Sequence, residues 1–359
     1  MILENFSVFR TPQTIVYGRH ALNEVAKESA SRGTKALVIS DPIMESLGYV
    51  SNIRNDLSKV GVESAIYLGV KTEPTDIYVE EALNLLKSEN CDVIISLGGG
   101  SCIDTAKAVA VLATNGGYIG DYMGGKTLAS QNPVPHIAIP TTAGTGSEVT
   151  DATIITNTKN NVKMMIKQPV FMPDVAIVDP MLTISSPKSV TAATGVDALS
   201  HAIEAYISRR AHPMTDKLAL SAMELIVGNL LAAYEDGNNL VAREAMSLGS
   251  LQAGMAFSNA SVCLVHGMSR PIGALFHVPH GFSNAMLLPA VLEFSKAECI
   301  GRLADLGRYY DPQAEIVSNE EAAEIAVSSV KKLCLDLNIP NLKGWGIDQQ
   351  QFESVISKM

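Results

Sequence analysis

The sequence predicts an α/β unit built on a parallel sheet, followed by an all-helical unit, divided into residues 1–185 and 186–359. Three observations predict it. The chain has 359 residues, and single hydrophobic cores usually stop growing at about 250–300 residues. In the first half, short continuous apolar runs alternate with helically spaced ones, the pattern of strands covered on both faces. After Pro187 the strand-like runs stop and long helical patterns follow one another.

In chain order, Phe6–Tyr17 reads as an edge strand. Lys35–Ser40 (KALVIS), Ser64–Tyr67, Asp92–Leu97 (DVIISL), His136–Pro140 and Ala176–Val178 read as sheet strands. Between them, Ile53–Val60, Tyr78–Ser88 and Asp104–Thr114 space Leu, Val and Ala as helices do. Asp179-Pro180 and Ser186-Pro187 interrupt the pattern and set the join. Helices are then expected over Thr191–Arg209, Pro213–Tyr234, Asn239–Asn259, Cys263–Phe276, Gly281–Phe294, Ala297–Leu306 and Ser318–Leu337. The first half is thus an α/β unit of the dinucleotide-binding type.

Composition narrows the function. Apolar residues make up 47% and charged ones 18%, a balance for a soluble globular chain rather than a disordered one. Acidic residues number 37 against 27 basic, and the net charge of -10 weighs against nucleic acid as a partner. No run of about 18 apolar residues occurs, so no membrane span is expected. The start, MILENFSVFRTPQ, does not read as a secretory leader. Five widely spaced cysteines with no CxxC suit a reduced cytoplasm.

Two runs carry the chemistry of the first half. Gly98-Gly99-Gly100-Ser101 ends a strand and opens a helical pattern that bears Asp104 and Lys107. Glycines there allow a tight turn and let backbone N–H groups approach an anion, and Ser101 can cap the helix or reach a phosphate. A plain strand-to-helix turn fits the fragment as well. Pro140–Glu148 (PTTAGTGSE) follows the next strand with small and hydroxyl side chains suited to wrapping a polar ligand, or to an irregular surface loop. Asp41, just past the first strong strand, suits the ribose hydroxyls of NAD or the cap of a helix from Pro42. Tyr122 with Gly120, Gly124 and Gly125 makes a third, less specific loop.

Histidine is scarce, with only seven in the chain, and three of them bear on one carboxylate of the second half. Asp197 and His201 lie four apart on one helix face. His266 and His280 come from separate elements. One Asp with three His makes an N/O site for a divalent transition metal, although the Asp–His pair alone suits a surface ion pair. Spacing does not choose among the histidines, since His277 competes with His280, and His212 reads rather as a helix-start residue.

Assembled, these residues resemble the iron-containing (group III) alcohol dehydrogenase family. Gly98 to Lys107 looks like its GGGSxxDxAK motif, and PTTAGTGSEVT (Pro140–Thr150) like its second signature. Gly195–Tyr206 resembles the third, and His266 through Gly281 the fourth. The resemblance spans nearly the whole chain. It implies a Rossmann-like α/β domain followed by a helical metal-binding domain, the architecture shared with dehydroquinate synthase, with catalysis in the cleft between them. It implies Asp197, His201, His266 and His280 as metal ligands. Gly98, Gly99, Gly100 and Ser101 match the pyrophosphate site; Asp104, Thr141, Thr142, Thr145 and Ser147 fall at further cofactor positions, and Asp41 at the one favouring NAD. The implied reaction interconverts a small alcohol with an aldehyde or ketone by hydride transfer, with Fe2+ or alternatively Zn2+ polarising the substrate oxygen.

Two positions depart from the family pattern. Arg270 stands where many relatives carry a histidine with a proton-relay role. That leaves His277, water or a ribose hydroxyl for the proton, and Arg270 for a substrate anion or a structural role. Glu73 stands where relatives often have Asn, to pair with Arg270 or bind a polyol hydroxyl. The chain also stops where relatives often continue, which implies a more open pocket. The edge strand suggests a homodimer or larger homo-oligomer. The alternatives are a zinc-dependent glycerol or polyol dehydrogenase, an oxidoreductase for an anionic aldehyde or hydroxy acid through Arg270, and a dehydroquinate synthase-type lyase.

Overall fold

The computed structural model describes residues 6–355. The chain forms two compact units. One comprises Arg10–Thr142 and Gly146–Thr183; the other comprises Ala143–Thr145, the chain from Ile184 onward and the described residues up to Phe9.

The first unit holds β1 (Thr14–Tyr17), β2 (Lys35–Ile39), β3 (Glu63–Tyr67), β4 (Val93–Gly98), β5 (His136–Pro140), β6 (Ala152–Asn157), β7 (Val162–Lys167) and β8 (Val175–Val178). Its helices are α1 (Val25–Ala30), α2 (Pro42–Ser46), α3 (Tyr49–Lys59), α4 (Asp76–Ser88) and α5 (Gly100–Asn115). Six strands form a parallel sheet in the order β1-β8-β5-β4-β2-β3. β4 and β5 are buried along their whole length, as their unbroken apolar runs require. From β2 the chain moves outward to β3, then crosses back to β4 on the other side. The carboxyl ends of β2 and β4 therefore flank the point where strand order reverses, the place where open α/β sheets bind ligands.

Three local expectations need correction. Of Phe6–Tyr17 only Thr14–Tyr17 is a strand; Pro12, without an N–H, stands in the segment before it. The helix expected over Ala297–Leu306 begins at Ile300 after a short 3-10 turn. The antiparallel hairpin β6–β7 was not anticipated. It buries Ile155, Met164 and Ile166 in the same cluster as α5 residues, and its signal was the alternation of Val162, Met164 and Ile166 beyond the turn residues Asn160 and Asn161.

The second unit contains α6 (Lys188–Ile207), α7 (Pro213–Glu235), α8 (Leu240–Ala260), α9 (Leu264–Phe276), α10 (His280–Ser295), α11 (Ile300–Tyr310), α12 (Asn319–Asp336) and α13 (Gln349–Val355). No strand occurs in it among the described residues. α6 is buried nearly all round past its first turn, which explains why it mixes Ala and Gly with apolar residues and shows no exposed polar face there. α7 is long and apolar enough to cross a membrane by length and composition alone. Here Ala219, Ala222, Met223, Ile226 and Leu230 instead fill the helical core.

Candidate functional site

At the sheet's reversal point, β4 ends on Gly98 at φ +152°, and Gly99 serves as N-cap of α5 without any side-chain cap bond. Ser101 therefore lies inside the helix and does not cap it. The Cys102 N–H donates to the Gly99 carbonyl at 3.1 Å, and helix geometry leaves the first-turn amides of Gly100 and Ser101 pointing out of the helix mouth. Thr141 donates its N–H to the Gly98 carbonyl at 3.0 Å, which ties the second loop to the first. A Cβ on Gly99 would lie 3.7 Å from Thr142 Oγ1, placing that hydroxyl beside the glycine turn.

Asp41 caps α2: its Oδ1 accepts the N–H groups of Ile43 at 2.8 Å and Met44 at 3.0 Å. Its Oδ2 faces the glycine turn, 3.3 Å from where a Cβ on Gly98 would sit. One oxygen of the side chain thus caps α2 while the other lies beside the glycine turn, 3.9 Å from Cys102 Sγ.

Asp104 is turned into the protein. It accepts from Ser147 Oγ at 2.5 Å and from the Ile154 N–H at 2.9 Å. Burial raises its carboxyl above the usual range, against the pull of Lys107, Ser147 and the Ile154 amide. Lys107 is fully buried and donates to Thr150 Oγ1 and the Ala152 carbonyl, both at 2.8 Å. Burial lowers its ammonium to about 8 despite Asp104, Glu148 and Asp151. Two of the cofactor-loop residues, Asp104 and Ser147, thus bond to each other and hold α5 to the loop before β6. Thr145 belongs to the short piece that packs with the helical unit. Tyr122 is buried with its hydroxyl on the Gly116 carbonyl, a packing role. Glu73 pairs with Lys163 of β7.

In the helical unit, Asp197, His201, His266 and His280 each bring one ligand atom within 4.8 Å of all the others. Asp197 Oδ1 lies 3.5 Å from His266 Nε2, 3.8 Å from His280 Nε2 and 4.0 Å from His201 Nδ1. The first three residues of this set are buried. α6 supplies Asp197 and His201, the third residue of α9 supplies His266, and the first residue of α10 supplies His280. The His201 ring is wedged between Phe257 at 4.1 Å and His266 at 4.4 Å.

The electrostatics suit a cation. Burial works against the Asp197 carboxylate, yet His201, His280 and His266 hold it well below the usual range. Burial lowers His201 to about 3. For His266 burial is outweighed by bonds to Asp197 and Glu204, which push it up to about 9. A buried carboxylate among three imidazoles is a donor set that fits a divalent transition metal.

Two residues at the cluster went unread in the sequence. Asn284, fully buried, sets its Nδ2 2.6 Å from Asp197 Oδ1, 3.0 Å from His266 Nε2 and 3.1 Å from His280 Nε2, while its Oδ1 has no partner. Glu204 accepts from His266 Nδ1. Both lie on the helix faces of known candidates, four residues after His280 and three after His201, and that spacing was the available signal. His277 is exposed in the left-handed conformation at the end of α9, outside the four-residue cluster. Arg270, four residues after His266, keeps a buried Nε with no partner. His212 caps α7 together with Thr215.

A glycine turn at the reversal point of a parallel sheet, and a buried Asp/His cluster in a helical unit, define a dinucleotide-linked enzyme with an N/O metal centre. Comparison with known proteins gives the particular family. Residues 12–180 match the family model described as iron-containing alcohol dehydrogenase, and residues 191–358 match its C-terminal family. The chain is 38% identical to 1,3-propanediol dehydrogenase of Citrobacter freundii over 348 residues, covering 96% of this chain and 90% of that protein. It is 38% identical to NAD-dependent methanol dehydrogenase of Bacillus methanolicus over 334 residues, 93% of this chain and 87% of that one. The crystal structure of a 1,3-propanediol oxidoreductase superposes with a TM-score of 0.95 at 38% identity, covering 98% and 93% of the two chains. The chain belongs to the iron-containing alcohol dehydrogenase family and is an oxidoreductase of that type. These likenesses favour the iron-type alcohol dehydrogenase reading over the alternatives.

Proposed function

We propose that the protein interconverts a small alcohol and its aldehyde or ketone, with NAD(H) at the glycine turn and Fe2+ on Asp197, His201, His266 and His280, Zn2+ being the alternative ion. The Asp/His cluster carries this reading. When bound, the metal supplies a Lewis acid for the substrate oxygen and the nicotinamide supplies or takes the hydride. The chain's own residues do the rest. Asp197 contributes the cluster's single negative charge, and Phe257 and His266 hold the His201 ring in place. The first-turn amides of Gly100 and Ser101 suit a pyrophosphate without basic side chains. Asp41 Oδ2, next to Gly98, favours a ribose hydroxyl and disfavours a 2′-phosphate. His277 is the ionisable group on hand for proton exchange with solvent.

The test is His266→Ala. Metal content and aldehyde-dependent NADH oxidation are expected to fall together. Full activity with no bound metal would remove the reading. A second reading, that the natural substrate is an anionic aldehyde or hydroxy acid, is favoured by the unpartnered Nε of Arg270, because a buried donor left open is costly until something fills it. Arg270→Ala is then expected to lower kcat/KM for an aldehyde bearing a terminal carboxylate by about 10–100-fold, the worth of a charge-assisted hydrogen bond. The loss for a neutral aldehyde of equal length should be far smaller, and equal losses would eliminate this second reading.

Five free thiols support a cytoplasmic location. The outer edge of β1, unpaired among the described strands, supports a homodimer.

A further inference from the structure

We propose that Glu204 is a positioning residue of the metal centre: it holds the His266 ring so that Nε2, and not Nδ1, is offered to the ion. The proposal rests on the reading that the Asp/His cluster holds a metal.

Glu204 is 1% exposed, a rare place for a carboxylate. It lies on α6, seven residues after Asp197 and three after His201, so all three project from nearby positions on the same helix face. Each of its oxygens takes one donor. Oε1 accepts the Val265 N–H at 2.6 Å, and Oε2 accepts His266 Nδ1–H at 2.5 Å. Val265 is the second residue of α9, whose first N–H groups have no intrahelical partner. The carboxylate therefore anchors the start of α9 to α6 and also compensates the positive helix end. Through the same group α6, which carries two of the candidate ligands, fixes a third ligand on a different helix.

The bond to His266 decides more than packing. A carboxylate can only accept, so Nδ1 must carry the hydrogen and the Nε2 lone pair is left for the ion. Nε2 is the nitrogen that faces Asp197, at 3.5 Å. A role limited to capping α9 would need only the Val265 contact.

Glu204→Gln separates the two roles while keeping the shape. Glutamine offers one accepting oxygen and one donating NH2, and both neighbours of the native carboxylate are donors. With its oxygen kept on Val265, its NH2 faces His266 Nδ1 and favours the opposite tautomer, with the hydrogen on Nε2 toward the ion.

The experiment titrates Zn2+ into full-length wild type and Glu204→Gln against a chromophoric chelator, with circular dichroism and NADH binding checking the fold. The variant is expected to bind Zn2+ about 10–100-fold more weakly, the usual effect of removing the partner that orients a metal-bound histidine. A folded variant with wild-type Zn2+ affinity overturns the proposal. Imidazole 15N spectra of the Zn2+-loaded wild type give an independent reading that needs no variant, should Glu204→Gln fail to fold. The hydrogen is expected on Nδ1 of His266 with Nε2 bound to the ion; coordination through Nδ1 overturns the proposal. Wild type that takes up no divalent ion at all would sink the metal reading of the cluster itself, a failure distinct from wild type that binds Zn2+ equally well without the Glu204 carboxylate.

Discussion

Gly98→Ala tests the turn on which the cofactor reading depends. Gly98 sits at φ +152°, and a Cβ there would lie 2.5 Å from Cys102 Sγ, 3.0 Å from Cys102 Cβ and 3.3 Å from Asp41 Oδ2. The first cost is conformational: an L side chain at such a φ loses about 1–3 kcal/mol. The second is steric, because Cys102 is buried on α5 and cannot swing clear, which adds about 1–3 kcal/mol of overpacking. The sum, about 2–6 kcal/mol, is a large part of the stability of an ordinary domain. Cys102→Ala separates the terms. It removes the 2.5 Å sulfur contact and leaves the backbone strain with the milder 3.0 Å Cβ contact, so in that background the cost of Gly98→Ala should fall toward about 1–3 kcal/mol, a coupling between touching sites. Hydrogen exchange at the β4 and α5 amides measures this locally, without assuming that a two-unit chain unfolds in one step. NADH titration reports the turn's function in the same samples. Equal costs in both backgrounds would refute the steric account. A cost below about 0.5 kcal/mol in the wild-type background would refute the backbone account as well, since surface substitutions stay within that range.

Other perturbations follow from the same geometry. Glu148 is buried, and burial raises its carboxyl from 4.5 to about 7 against its backbone bond and Lys107. The folded state thus holds a proton that the unfolded chain has released. Its contribution is fully present below pH 4.5 and disappears as pH rises through about 7. Stability measured by hydrogen exchange should fall by roughly 3 kcal/mol across that window and be flatter in Glu148→Gln; a slope unchanged by the substitution would exclude Glu148 as its source. On α11 two glycines make a matched pair. A Cβ on Gly307 would lie 1.9 Å from the Ala322 carbonyl oxygen, whereas one on Gly301 would meet nothing within 4 Å. Gly307→Ala should lower the thermal midpoint by forcing α11 from α12, and Gly301→Ala should be neutral or stabilising by up to about 1 kcal/mol.

The legible parts of this molecule are those whose chemistry lies in one stretch of chain. Gly98–Ser101 and Pro140–Ser147 announce close approach to a ligand because small and hydroxyl residues cannot build a core. The Asp/His cluster was legible in part, although spread over three helices, because histidine is scarce and Asp197 and His201 share a helix face, while spacing left His277 and His280 as alternatives. What escaped depends on burial. Glu204 on a helix reads as a solvated charge until α9 covers it. Asn284 reads as an ordinary helix residue until Asp197 and two imidazoles surround its amide. Asp104 shows the same limit: a carboxylate beside a glycine turn suggests a ligand contact, and only the fold shows that Ser147 and the Ile154 amide each bond one of its oxygens.

The same burial sets the charge balance at the metal centre, and that balance limits what the site accepts. Asp197 and Glu204 place two buried carboxylates around the cluster, and Arg270 lies within the field of Glu204. With the imidazoles neutral, as ligation requires, these groups sum to a single negative charge. A divalent ion held there would turn this into a single positive charge among buried side chains, where unbalanced charge is expensive. One negative charge on a bound alcohol's oxygen would restore the balance. A substrate that also carries a carboxylate would leave one net negative charge, which a direct charge-assisted bond to the Arg270 guanidinium would offset locally. Glu204 already accepts from Val265 and His266, while the Arg270 Nε–H donates to no partner. The guanidinium is therefore available to an anion in a way that its nearness to Glu204 alone would conceal, which makes the comparison of neutral and carboxylate-bearing aldehydes in Arg270→Ala the measurement that separates the two substrate classes.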